Sequence, residues 1–149
     1  LNLRSIVSQY PDLDCVFLNS GVQHQFRLSR PAEVDLDAFH QEMSTNFSRF
    51  VDLSIKFLSH LLKKPFPTAL LFTTSIIAMI PAMPSPAYSA SKAALNAYIY
   101  CLRRQNQGSN TRVIEISPPL VQSKLSSFYP VNNPCWGIPA LKSDPSRNP

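Results

Sequence analysis

Between Thr68 and Lys92 an apolar run, Thr68 to Phe72, stops abruptly in Thr73-Thr74-Ser75, a proline-rich stretch follows, and Tyr88 opens a segment of small residues. This order predicts a strand, a loop and a helix, with Ser75 at the carboxyl end of the strand and Tyr88 near the helix start. No other feature constrains the fold as much. A short apolar run without alternation belongs in a buried parallel strand, and open α/β sheets bind ligands at the carboxyl ends of such strands. Tyr88 and Lys92 are four residues apart, so on a helix they share a face and can bring a phenol and an ammonium to one reaction centre. Ser75 precedes Tyr88 by thirteen residues.

The other segments fit around this unit. Leu3, Ile6, Val7 and Tyr10 form one face of a helix over residues 1–10, which leads through Pro11 into a strand from Leu13 to Leu18. A loop over 22–31 precedes a long helix whose apolar face comprises Leu36, Phe39, Met43, Phe47, Phe50, Ile55 and Leu58, with Glu33, Asp35 and Asp37 near its positive end. Pro65 and Pro67 end that helix. The Tyr88 helix runs to Arg104, and a polar turn over 105–110 precedes a third strand, Val113 to Ile116. Strands alternating with helices predict an α/β fold with a doubly wound parallel sheet.

At the Ser75, Tyr88-x-x-x-Lys92 pattern the chain resembles the short-chain dehydrogenase/reductase family, whose catalytic signature is a serine followed by Tyr-x-x-x-Lys. Leu18-Asn19-Ser20-Gly21 is similar to the family's Asn-Asn-Ala-Gly turn. Asn46 sits in the long helix where the family keeps a fourth catalytic residue. Pro118-Pro119-Leu120-Val121-Gln122-Ser123 resembles the Pro-Gly-x-Val-x-Thr loop that covers the nicotinamide. The resemblance covers roughly residues 1–125, read as a partial catalytic domain, with 126–149 as a Pro-rich irregular tail. It implies the C-terminal part of a doubly wound Rossmann-type sheet and an NAD(P)-dependent oxidoreductase that interconverts a small-molecule alcohol and a carbonyl.

The resemblance also implies roles. Tyr88 would exchange a proton with the substrate oxygen, and because a free phenol titrates near pH ~10 it needs the neighbouring cation of Lys92. Lys92 would also bond the nicotinamide ribose. Ser75 would hold and polarise the substrate oxygen, and Asn46 would support a water linking Lys92 to solvent. Asn19 and Gly21 would line the adenosine side of NADP or NAD, with Pro118, Val121 and Ser123 on the nicotinamide side. Two plainer readings stand beside these: Ser75 as a turn hydroxyl bonded to nearby backbone, and Asn46 as a solvent-facing helix residue.

The chain departs from the family at several points. A dinucleotide turn needs closely spaced glycines, and the three here, Gly21, Gly108 and Gly137, are far apart. In the family the segment matching residues 1–18 comes after three strands and the glycine-rich turn, so the expectation is a truncated chain, inactive alone. Pro119 stands for the glycine of the nicotinamide loop, which removes an N–H. The tail reads either as a divergent substrate lid or as an aberrant end.

Composition narrows the alternatives. The net charge of +5 is spread along the chain without a basic face, which argues against nucleic acid. Cys15, Cys101 and Cys135 show no metal-ligand or disulfide spacing, Cys15 reads as a small core residue, and a reducing cytoplasmic setting is expected. The apolar stretch over 69–83 is broken by hydroxyls and Pro81 and falls short of the ~20 residues a spanning helix needs, so no membrane association is expected. Open apolar strand edges predict poor solubility or association with itself or another subunit, and the family resemblance implies a homo-oligomer through the two long helices. Two functions of different class remain: an oxidoreductase, and a non-catalytic remnant acting by association with a full-length relative.

Overall fold

The apolar runs become strands β1 (Cys15–Leu18), β2 (Thr68–Thr73) and β3 (Thr111–Ile116) in a computed structural model that describes residues 3–119. All pair in parallel in the order β1-β2-β3, with Val16 opposite Leu70 and Leu70 opposite Val113. The helices are α1 (Leu3–Gln9), α2 (Leu36–Met43), α3 (Arg49–Leu61) and α4 (Pro86–Gln105). Both crossovers step in the same direction across the sheet, and right-handed crossovers of that kind put their helices on one face. The core agrees: Val16, Leu18, Leu70 and Phe72 pack against Phe50, Phe57 and Leu61 of α3 and Leu95, Ile99 and Leu102 of α4.

The opposite face of the sheet carries Phe17, 51% exposed, in register with half-buried Leu71 and with Ile114, 39% exposed. The run Thr68–Phe72 is therefore buried on one side and half-buried on the other. Cys15 lies on this outer face and is exposed, which corrects its reading as a core residue: β1 alternates, and only Val16 and Leu18 turn inward.

The long helix also departs from expectation. It is interrupted by a π turn, Ser44–Ser48, between α2 and α3. Such a turn inserts a residue and rotates the helix beyond it. The buried positions run Glu42, Asn46, Phe50, Ser54, Phe57 and Leu61, whereas Leu36 and Ile55 are 62% and 56% exposed. An apolar period could not find this face because three of its six members are polar and bonded. Ser54 Oγ, for example, donates to Val51 O and lies 2.7 Å from the Tyr98 hydroxyl.

Helix ends follow the local sequence. Asp35 caps α2 by accepting from Ala38 N at 2.9 Å, and Pro86, whose missing N–H is no loss in a first turn, opens α4. Among the described residues no helix is long and apolar enough to cross a membrane.

Candidate active site

Ser75, two residues past the end of β2, is extended and caps a short 3-10 turn, Ile76–Ala78. Its hydroxyl accepts from Ile77 N at 3.3 Å, and Ile76 N donates to Pro118 O at 3.2 Å. The carboxyl ends of β2 and β3 are thereby tied beside Ser75. The capping bond is the plain turn role foreseen for this serine, and it also fixes the side chain in place. Tyr88, in the first turn of α4, is buried and packs against Ile77 and Ala82. The loop between is locked by Ser89, whose Oγ accepts from Ala82 N at 2.9 Å and donates to Ser85 O at 3.0 Å.

One turn further, Lys92 is only 2% exposed. Its Nζ donates to Thr73 O at 2.9 Å and sits 5.5 Å from the ring centroids of both Tyr88 and Phe50. Burial lowers its pKa from 10.5 to about 8, so it stays protonated at pH 7 by roughly tenfold. The two ring faces offset part of the desolvation. An ammonium uses three donors, of which the Thr73 carbonyl takes one.

Asn46 is fully buried, which removes the reading of it as a solvent-facing residue. Its Oδ1 accepts from Val22 N at 2.9 Å, while Nδ2 donates to Val22 O at 2.8 Å and Ser91 Oγ at 3.3 Å. Ser91 Oγ in turn donates to Tyr88 O at 2.8 Å. Asn46 thus connects the loop after β1 to the Tyr88 turn of α4. Asn19 accepts from the Thr73 hydroxyl at 2.6 Å, which puts Asn19, Thr73 and Lys92 in one polar line. A Cβ added at Gly21 would meet Asn46 Oδ1 at 3.7 Å, an ordinary contact, and its φ is not positive, so neither space nor conformation demands glycine there.

Tyr88, Lys92, Ser75, Asn46, Asn19, Gly21 and Pro118 therefore gather around the carboxyl ends of the strands, while Val121, Ser123 and the 126–149 tail lie outside the described residues. Sequence reasoning missed Phe50 beneath Lys92, Thr73 between Lys92 and Asn19, and Glu115. Glu115 Oε1 accepts from Thr74 Oγ1 at 2.7 Å and Asn96 Nδ2 at 2.9 Å, beside Ser75 and one turn after Lys92. Glu42 was missed too, although its spacing of four from Asn46 was visible.

Chemically, the arrangement holds a cation against a phenol in a site largely closed to water, with a hydroxyl on the adjoining strand end. The donor set fits the ribose side of a nicotinamide dinucleotide, since Lys92 keeps donors beyond the one on Thr73. The 149 residues contain no glycine cluster for the pyrophosphate. Among the described residues no group of three His, Cys, Asp or Glu side chains could hold a metal.

The chain matches the family model for short chain dehydrogenases over residues 2–131. It is 34% identical over 120 residues to the uncharacterized oxidoreductase DltE of Bacillus subtilis (strain 168), covering 80% of this chain and 47% of that protein. A short chain dehydrogenase from Shigella flexneri 2a str. 301, solved in complex with NADP, superposes with a TM-score of 0.69 at 29% identity, over 78% of this chain and 47% of that one. The 3-oxoacyl-[acyl-carrier protein] reductase from Brucella melitensis in complex with NAD gives a TM-score of 0.75 at 17% identity, over 83% and 50%, a likeness of fold alone. The chain spans about half the length of these relatives.

Proposed function

The chain belongs to the short chain dehydrogenase family, and on that premise we propose that it carries the proton-transfer half of an NAD(P)-dependent oxidoreductase acting on a small-molecule alcohol or carbonyl. The observation that supports this most is Lys92 Nζ held 5.5 Å from the Tyr88 ring in a buried site. NADPH or NADH, when bound, supplies the hydride. Tyr88 gives its phenolic proton to the substrate oxygen in reduction and takes it back in oxidation. Lys92 favours the resulting phenolate by its charge. Ser75 holds the substrate oxygen by its hydroxyl, and Asn46 fixes the helix turn behind the pair.

Binding of NADPH and NADH to the 149-residue chain, followed by calorimetry or by quenching of Trp136, tests the reading. Heat or quenching that saturates, and that changes in the Lys92→Ala variant, supports it. No binding favours the second reading, a non-catalytic chain that associates with a full-length relative, for which the missing glycine cluster is the motivating observation.

Exposed side chains and free thiols extend the proposal. Ile55 on α3 and Tyr100 on α4 are 56% and 64% exposed, a basis for homo-oligomer formation through these two helices. A cytoplasmic location suits free thiols such as Cys15 and Cys101. In this reading residues 1–125 belong to the partial catalytic domain.

A further inference from the structure

Glu42 and Asn46, four residues apart where α2 meets the π turn, both bond to the loop after β1. Asn46 holds Val22 by its N–H and its carbonyl. Glu42 Oε2 accepts from His24 N at 2.8 Å and lies 2.7 Å from His24 Nδ1. Two helix side chains thus grip alternate residues of the loop, as a neighbouring strand would. The loop is held in turn to the segment just before Tyr88: Gln23 Nε2 donates to Ser85 Oγ at 3.1 Å, and Phe26 N to Pro84 O at 3.0 Å.

Glu42 is an unusual residue to find here if stability is its purpose. It is fully buried, and its Oε1 has no hydrogen-bond partner. Desolvation raises its pKa, against the opposing bonds from His24. A half-satisfied buried carboxylate destabilises a core that an apolar side chain would fill more favourably. What the carboxylate supplies instead is direction, because one oxygen orders both the backbone and the ring of a half-exposed residue.

We infer that Glu42 is a positioning residue: through His24 it holds the 22–26 loop against the start of the Tyr88 helix, so that the Asn19–Gly21 turn and Tyr88 keep one relative placement. Its bearing on catalysis rests on the oxidoreductase reading, whereas the coupling of loop to helix does not.

The test is amide hydrogen exchange on the full 149-residue chain and its Glu42→Ala, Glu42→Gln and His24→Ala variants, with NADPH binding measured on the same samples. In Glu42→Ala the amides of Val22, His24 and Phe26 lose protection by ~10-fold or more, while Leu70 and Phe72 in β2 keep theirs. Glu42→Gln, which retains an acceptor oxygen, recovers most of it, and His24→Ala gives a smaller loss at the same three amides. A uniform loss across the sheet overturns the inference, since Glu42 would then only stabilise the fold. Unchanged protection at Val22 and Phe26 overturns it as well, since the bonds would then be local to His24. If Glu42→Ala does not fold, the Glu42→Gln and His24→Ala pair makes the same comparison. Where the wild type binds NADPH, Glu42→Ala binds it more weakly, and equal affinity would overturn the positioning role. A wild type that binds no NADPH counts against the oxidoreductase reading alone, and the exchange pattern still decides the role of Glu42.

Discussion

Lys92 Nζ donates to the carbonyl of Thr73, the last residue of β2, at 2.9 Å. Among the described residues no carboxylate forms an ion pair with this ammonium. A carboxylate partner would spend the charge locally, whereas a neutral carbonyl fixes the position and leaves the field to act on the Tyr88 phenol.

That buried charge makes stability depend on pH. Folded Lys92 releases its proton near pH 8 and the unfolded side chain near 10.5. Across this window the unfolded chain binds more protons, so stability rises as pH rises. The full shift corresponds to about 3 kcal/mol that the charged form costs the fold at neutral pH. Urea midpoints of the wild type and Lys92→Met, compared at about pH 7 and about pH 10, should show the wild type gaining on the variant. Equal pH dependence in the two would refute a depressed pKa.

Tyr88→Phe keeps a ring against Ile77 and Ala82 and removes the hydroxyl proposed as the acid. Where the wild type shows turnover, that turnover should fall ~10²–10⁴-fold while the urea midpoint stays near that of the wild type. Retention of turnover would assign the proton to another group.

Asn46→Ala leaves the N–H and carbonyl of Val22 without the partners they have now. The expected loss is about 2–4 kcal/mol, measured by denaturant unfolding. A loss below ~0.5 kcal/mol, the size expected of an ordinary surface position, would contradict its burial.

Glu115→Ala unties Thr74 and Asn96 together, with an expected loss of about 1–3 kcal/mol. A double-mutant cycle with Thr74→Val checks the link, because independent sites would give additive losses.

Self-association is expected through α3 and α4. Ile55→Lys combined with Tyr100→Ser should shift sedimentation towards the monomer with little change in unfolding, since both side chains are exposed. A wild type that sediments as a stable monomer would remove this expectation.

The placement of Tyr88, Lys92 and Ser75 was legible in the sequence because fixed spacing sets it around one strand end and one helix turn. The strands were legible as apolar runs, though β3 starts two residues before its expected first residue, at Thr111, whose hydroxyl bonds that of Thr68. Glu42 and Ser54 were not legible as inward-facing, because a polar residue is buried only when a specific partner receives it, and those partners lie 18 and 44 residues away in the chain. Ile55 failed for the complementary reason: a regular helical period was carried across a turn that is not regular.

The π turn also limits how this chain can vary. An α-helix rotates by about 100° per residue, so winding all five residues of Ser44–Ser48 as regular α-helix would swing everything after them. Phe50 would leave both the Phe72 ring, now stacked at 6.5 Å, and the ammonium above it. The wide turn absorbs one residue that a regular helix could not, so here the winding of the backbone, as much as the kind of residue, builds the floor under Lys92.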